Sequence, residues 1–204
     1  MPLRSLLLAP VLTASFSIAA YAADPRYPDW PCAQAKVPEL SVAAVWDGPS
    51  IDGVGDAWKN DPKLGDLLVR LAARRTPIED AQKAAGDFVG AAGAAKTEKA
   101  KLLFAGLFAE LNQQRVEVMD GIDRIAQKEK ELAETVRSDR AELGTLQDSQ
   151  NPDQKKIDEL SNRLQWGTRI FEERRKTIRY VCEVPTAIER RLFALGRAIA
   201  QATE

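Results

Sequence analysis

Apolar positions recur along the second half of this chain with a period that does not slip. Phe104, Phe108, Leu111, Arg115, Val118, Ile122, Ile125, Glu129, Leu132, Val136, Asp139, Leu143 and Leu146 are separated by alternating steps of four and three. That is the seam of a heptad helix, and ten of the thirteen occupants are apolar, enough to define one buried stripe. The pattern predicts one helix of about 50 residues, roughly 75 Å long at 1.5 Å per residue. The stretch DSQNPDQ interrupts it at Asn151-Pro152, because a residue before proline avoids the α region. The same steps resume at Ile157, Leu160, Leu164, Gly167, Phe171, Arg174, Ile178 and Val181. Two matching seams around a short break predict an antiparallel helical hairpin.

A tip near Gln150-Asn151 sets the register. Leu143 should face Ile157 or Asp158, Val136 should face Leu164 or Gln165, and Ile122 should face Ile178 or Arg179. Glu129 should come near Phe171 and Glu172, one turn from Arg175. Polar residues inside a seam cost stability and fix register, and Glu129, Asp139 and Arg174 read as such devices. Gly167 beside Trp166 predicts a local kink or a shaped gap.

Helical periods flank the hairpin. Leu64, Leu67, Leu68 and Leu71 form one stripe, ending in the basic pair Arg74-Arg75. Thr76-Pro77-Ile78-Glu79 reads as a restart, with Thr76 as N-cap and Glu79 closing a capping box. Ile78, Ala81, Ala85, Phe88 and Ala92 continue on one face, and Gly86, Gly90 and Gly93 are expected to admit a bulky neighbour such as a tryptophan. The second arm should end at Val184-Pro185, and Thr186 should open a last helix striped with Ile188, Leu192, Leu195, Ile199 and Ala202. The register returns this helix beside residues 100–117, where the body must be thickest.

Residues 24–61 show no such period. Prolines and Asp-Gly pairs punctuate them, and three of the four tryptophans lie here: Trp30, Trp46 and Trp58. This much aromatic surface suits an ordered, irregular segment laid on a helical body. The expected fold class is therefore all-α. Residues 62–117 and 183–204 form a helical bundle, residues 118–182 a long coiled-coil hairpin, and residues 23–61 an irregular Pro/Trp-rich segment packed on the bundle, all in one cooperative domain.

Residues 1–22 read as a cleaved signal peptide: Arg4, an apolar run from Leu6, then Ala20-Tyr21-Ala22 as a small-x-small cleavage pattern. The run is shorter than a membrane span needs, and export, most simply to a bacterial periplasm, is expected. Removing it deletes Arg4 and no acid, leaving 28 Lys+Arg against 30 Asp+Glu, so no net basic charge draws the chain to nucleic acid. The only cysteines, Cys32 and Cys182, then both lie in an oxidising compartment and are expected to pair. Cys182 sits where the second arm re-enters the bundle, so the bond would strap the irregular segment across the base of the arm.

The composition narrows the chemistry. There is no histidine, which removes histidine acid–base catalysis, histidine-activated nucleophiles and the commonest metal ligand. Ser-x-x-Lys, Thr-x-x-Lys and the GxxxxGK[ST] phosphate loop are also missing. Asp120/Arg124, Glu134/Arg137 and Glu172/Lys176 have the spacing of helical surface ion pairs. Asp47, Asp52, Asp56, Asn60 and Asp61 invite a calcium reading, but their spacing departs from an EF-hand, and turns and caps explain them. Arg190, Arg191 and Arg197 could face an anionic membrane, although packing on the bundle accounts for that helix as well.

No cofactor and no metal are expected. The functional expectation is a non-catalytic scaffold or adaptor that binds another envelope protein through its arm or bundle end. The alternative is a chaperone-like or ligand-binding bundle working through an apolar, Trp-rich face. Interaction candidates are Trp30, Trp46, Trp58, Leu143, Leu146 and Trp166. A homodimer is open, since exposed seam positions could build a four-helix assembly.

Overall fold

The computed structural model describes residues 24–204. The expected signal peptide lies outside the described residues. Among these, every regular element is helical. α1 spans Pro62–Ala72, α2 Ile78–Gly90, α3 Lys96–Gln147 and α4 Gln154–Gln201, with single 3₁₀ turns at Val42–Ala44, Ala57–Asn60 and Gly93–Ala95.

Local chemistry explains the starts. Asp61 caps α1, its Oδ1 accepting from the backbone N–H of Lys63 at 3.1 Å and of Leu64 at 3.4 Å. Pro62 occupies the first helical position. Asp153 caps α4 by accepting from the Lys156 N–H at 3.2 Å. Thr76 does not cap α2 as its spacing suggests. Its hydroxyl turns back and donates to the Arg70 carbonyl at 2.8 Å, closing the end of α1, and Pro77 precedes the first turn of α2 with no side-chain cap. α1 accordingly stops at Ala72, short of Arg74-Arg75.

The core lies where four helices meet. It contains Leu64, Leu68 and Leu71 of α1, Ala81, Ala85 and Val89 of α2, Leu103, Phe104, Leu107 and Leu111 of α3, and Ile188, Leu192, Leu195 and Ile199 of α4. On α2 the buried stripe closes on Val89, and Phe88 stays half-buried beside it. The irregular segment contributes Val45 and Trp46, whose indole stacks on Phe104 at 4.1 Å and donates to the Pro49 carbonyl at 2.8 Å.

The close approaches fall on glycines other than those expected. Around Gly86, Gly90 and Gly93 there is open space where a Cβ would stand. Gly106 instead carries Leu68 and Trp58 against its backbone, and Gly196 carries the Val45 carbonyl and Phe104. Both belong to the long helices at the thickest part of the bundle, where side chains from the irregular segment and from α1 need the room.

α4 also differs from expectation. It runs unbroken through Pro185, with no stop at Val184 and no restart at Thr186. The proline sacrifices one backbone hydrogen bond but is itself buried, between disulfide-bonded Cys182 and the core residue Ile188. Packing on both sides of the weak point holds the helix together. α3 and α4 then extend beyond the bundle as a two-helix arm about 40–50 Å long, judged from 1.5 Å per residue. Among the described residues, no helix is long and apolar enough to cross a membrane.

Candidate functional site: the outer face of the arm

The arm is built on the seam the heptads specify. Ile122, Ile157 and Leu160 are buried, and Phe171, Ile178 and Val181 are half-buried along it. Polar seam residues pair across it. Asp139 accepts two bonds from Arg163, Nε to Oδ2 at 2.9 Å and Nη2 to Oδ1 at 2.8 Å. Glu129 faces Arg174 at 3.5 Å, near the Phe171–Glu172 position expected. Gly167 fits under Val136, whose Cγ2 would stand 3.1 Å from a Cβ there. The shaped gap predicted at Gly167 is thus filled from the opposite helix. The turn after α3, Asp148–Asp153, is centred on Gln150-Asn151 as expected, and the facing pairs Asp139–Arg163, Val136–Gly167 and Glu129–Arg174 lie one to two residues off the expected register.

One flank of the arm is covered by the irregular segment. Cys32 is bonded to Cys182, with the two Cα atoms 5.5 Å apart. The Gln34 amide donates to the Cys182 carbonyl. Lys36 pairs with Asp123 at 2.6 Å, and Asp29 pairs with Lys130 at 3.1 Å. The strap runs from Asp29 beside Lys130 down to Val37 and Pro38 beside Arg115, so it covers the lower arm as well as its base.

This arrangement sorts the candidate tryptophans. Trp30 is half-buried in the strap, donates to the Gln34 carbonyl at 2.8 Å and lies under the Lys36 ammonium, which also covers Tyr27. Trp46 is in the core, and Trp58 packs over Gly106. All three thus make contacts within the strap and bundle, Trp46 buried and Trp30 and Trp58 half-buried. Leu143 and Leu146 are half-buried in the seam near the tip. Trp166 alone of the four tryptophans stands out from the body, 62% exposed.

Trp166 has companions that the seam pattern passes over. Ile170 is 42% exposed and Tyr180 74%. At 100° per residue the three fall within about 80° of the α4 circumference. The signal for them was present: Ile170 and Tyr180 are large residues at non-seam positions of an arm segment otherwise polar outside its seam, apart from Trp166. Residues 163–179 hold six Lys or Arg and two Glu, so the aromatic face is set in positive charge. Arg169 lies over the Trp166 ring at 5.8 Å, and Arg175 over Phe171 at 5.8 Å. A shallow depression of about 420 Å³ opens between Arg175, Lys176, Arg179 and Tyr180. Lys176 pairs with Glu173 at 2.9 Å, not with Glu172, and this pairing raises the Lys176 pKa and lowers that of Glu173. Asp120, Arg124, Glu134 and Arg137 are all exposed, with their charges in solvent.

The other candidates resolve into structural roles. Asp52 accepts from Ser50, Asp56 pairs with Lys59, and Asp61 caps α1 while pairing with Lys99 at 2.9 Å. Positive φ at Gly53 and Gly55 makes the loop between them a set of turns. Among the described residues, no three acidic or thiol side chains gather as a metal site. Arg191 donates to the Leu71 carbonyl at 2.7 Å and the Thr76 carbonyl at 3.1 Å, where burial lowers its pKa. It therefore faces the α1–α2 junction.

The chain matches no protein-family model, no curated protein and no solved structure.

Proposed function

We propose that the protein is a non-catalytic, exported adaptor that works in the bacterial periplasm and binds another envelope protein through the outer face of α4. The observation that carries this reading is the distribution of aromatic surface. The strap and bundle consume Trp30, Trp46 and Trp58, whereas Trp166 and Tyr180 are held out on a rigid arm among arginines. Tryptophan, tyrosine and arginine are the residues that anchor protein interfaces. With Trp46 buried and Trp30 and Trp58 half-buried, less aromatic surface is left on the bundle for a Trp-lined client face. The partner surface that fits is acidic around an apolar patch. The disulfide supports an oxidising compartment.

The test is co-purification from the host envelope after cross-linking. The double variant Trp166→Ala/Tyr180→Ala should lose a specific partner by at least about tenfold, the effect of removing interface anchors. Val69→Ala and Phe193→Ala, exposed apolar positions on the bundle, should retain it. Retention by the double variant would sink the proposal.

A further inference from the structure

Between α3 and α4 the arm holds a cleft of about 280 Å³ whose lining includes no residue of the strap. Ile125, Ile178 and Val181 line it together with Glu129. Glu129 is only 9% exposed, and neither carboxylate oxygen has a hydrogen-bond partner. The nearest cation, Arg174, stands 3.5 Å from Oε1, outside good hydrogen-bond geometry for a charged pair. A buried carboxylate without hydrogen bonds is costly, and a register role does not require it to stay unsatisfied. Asp139, the other acid of this seam, has its bonds made by Arg163.

We infer that this cleft binds a free apolar α-amino acid as its zwitterion. What Glu129 lacks is N–H donors, and an ammonium group supplies three. A simple amine fits less well, because Arg174 already stands beside this carboxylate and Lys128 adds a second cation to the lining. A zwitterion brings a carboxylate of its own. Arg174, half-exposed and weakly held, is free to swing from Glu129 to that carboxylate, with Lys128 beside it. The ligand's side chain then lies on Ile125, Ile178 and Val181. The volume is below the usual range for drug-sized ligands, about 300–1,000 Å³, and suits a single small molecule. This goes beyond the adaptor reading, since the cleft opens between the helices of the arm and does not include Trp166 or Tyr180.

Isothermal titration of the disulfide-bonded protein tests it with three probes. L-leucine carries all three features, leucinamide lacks the carboxylate, and 4-methylpentanoate lacks the ammonium. Leucine should bind saturably at one site, and each truncated probe should bind at least about tenfold more weakly, a loss of roughly 1.4 kcal/mol. Glu129→Gln should weaken leucine by a similar factor, as should Val181→Phe, which fills the cleft without touching the carboxylate. Both variants are checked for unchanged helical circular dichroism. A leucine Kd above about 10 mM would overturn the proposal. So would leucinamide binding as tightly as leucine, or unaltered binding in both variants.

Discussion

Arg115 and Glu189 are joined at 2.6 Å where the bundle, the arm and the strap converge. Arg115 is 1% exposed, and its remaining nitrogens donate to the carbonyls of Val37 and Pro38. One guanidinium thus ties α3 to α4 and both to the irregular segment. Its planar fork of donors is what allows three partners at once.

Removing that fork should be expensive. Arg115→Met leaves Glu189 uncompensated and two strap carbonyls unsatisfied, and is expected to cost about 3–5 kcal/mol in urea unfolding. Glu189→Gln should cost less, about 1–2 kcal/mol, because the two carbonyl acceptors remain. Equal effects for the two variants would show that the ion pair alone matters.

The Cys32–Cys182 bond closes a loop of 150 residues. Chain entropy assigns such a loop about 4–5 kcal/mol at most. Lys36–Asp123, Asp29–Lys130 and the Arg115 bonds still hold the strap after reduction. Reductant, or Cys182→Ser, is therefore expected to lower Tm markedly while helical circular dichroism at 25 °C persists. An unchanged Tm would show that the noncovalent ties already hold the strap fully.

Two glycine substitutions should have opposite signs. At Gly106 a Cβ would stand 2.6 Å from Leu68 Cδ1 and 3.0 Å from the Trp58 ring, so Gly106→Ala is expected to destabilise by about 1–3 kcal/mol. Gly86 sits inside α2 with nothing within 4 Å of a Cβ, and Gly86→Ala should stabilise by about 0.5–1 kcal/mol. Thermal denaturation of both decides whether these contacts are read correctly.

The arm should weaken in acid through Asp139. The Arg163 side-chain hydrogen bonds, more than the charge alone, hold its pKa below the usual aspartate value. Its contribution is fully present above the unfolded-state pKa, about 4, and is lost as pH falls through the depressed folded value. Arg163 is largely exposed, so solvent screening keeps the contribution small. Asp139→Asn should be less stable than the parent at pH 7, and the gap should narrow below about pH 4. A constant gap across that range would contradict the pairing.

The hairpin was legible because a heptad repeats the same physical demand thirteen times, and no local exception can hide it. The disulfide was legible from the two-cysteine count, the expected export and the place of Cys182 in the register. Other features depended on contacts between distant segments. Pro185 reads locally as a helix stop, but burial of its neighbours overrides that preference. Thr76 reads as an N-cap, but the Arg70 carbonyl is the nearer demand. Nothing local marks Gly106 and Gly196, and not Gly86, as the crowded positions, since crowding is decided by Trp58 and Val45 arriving from the irregular segment. At the candidate site, Trp166 was visible by its size. Ile170 and Tyr180 were passed over because attention to the seam discounts everything outside it.

The arm is the proposed binding element. It is tested most directly by removing three heptads from each helix, residues 126–146 and 155–175, and rejoining the arm to the same tip with Cys32 and Cys182 intact. Helicity and disulfide formation establish that the shortened protein folds. Captures from the host envelope are then compared with the full-length protein. A specific partner is expected to be retained by the full-length protein and lost from the shortened one. The same partner captured equally by both would contradict it.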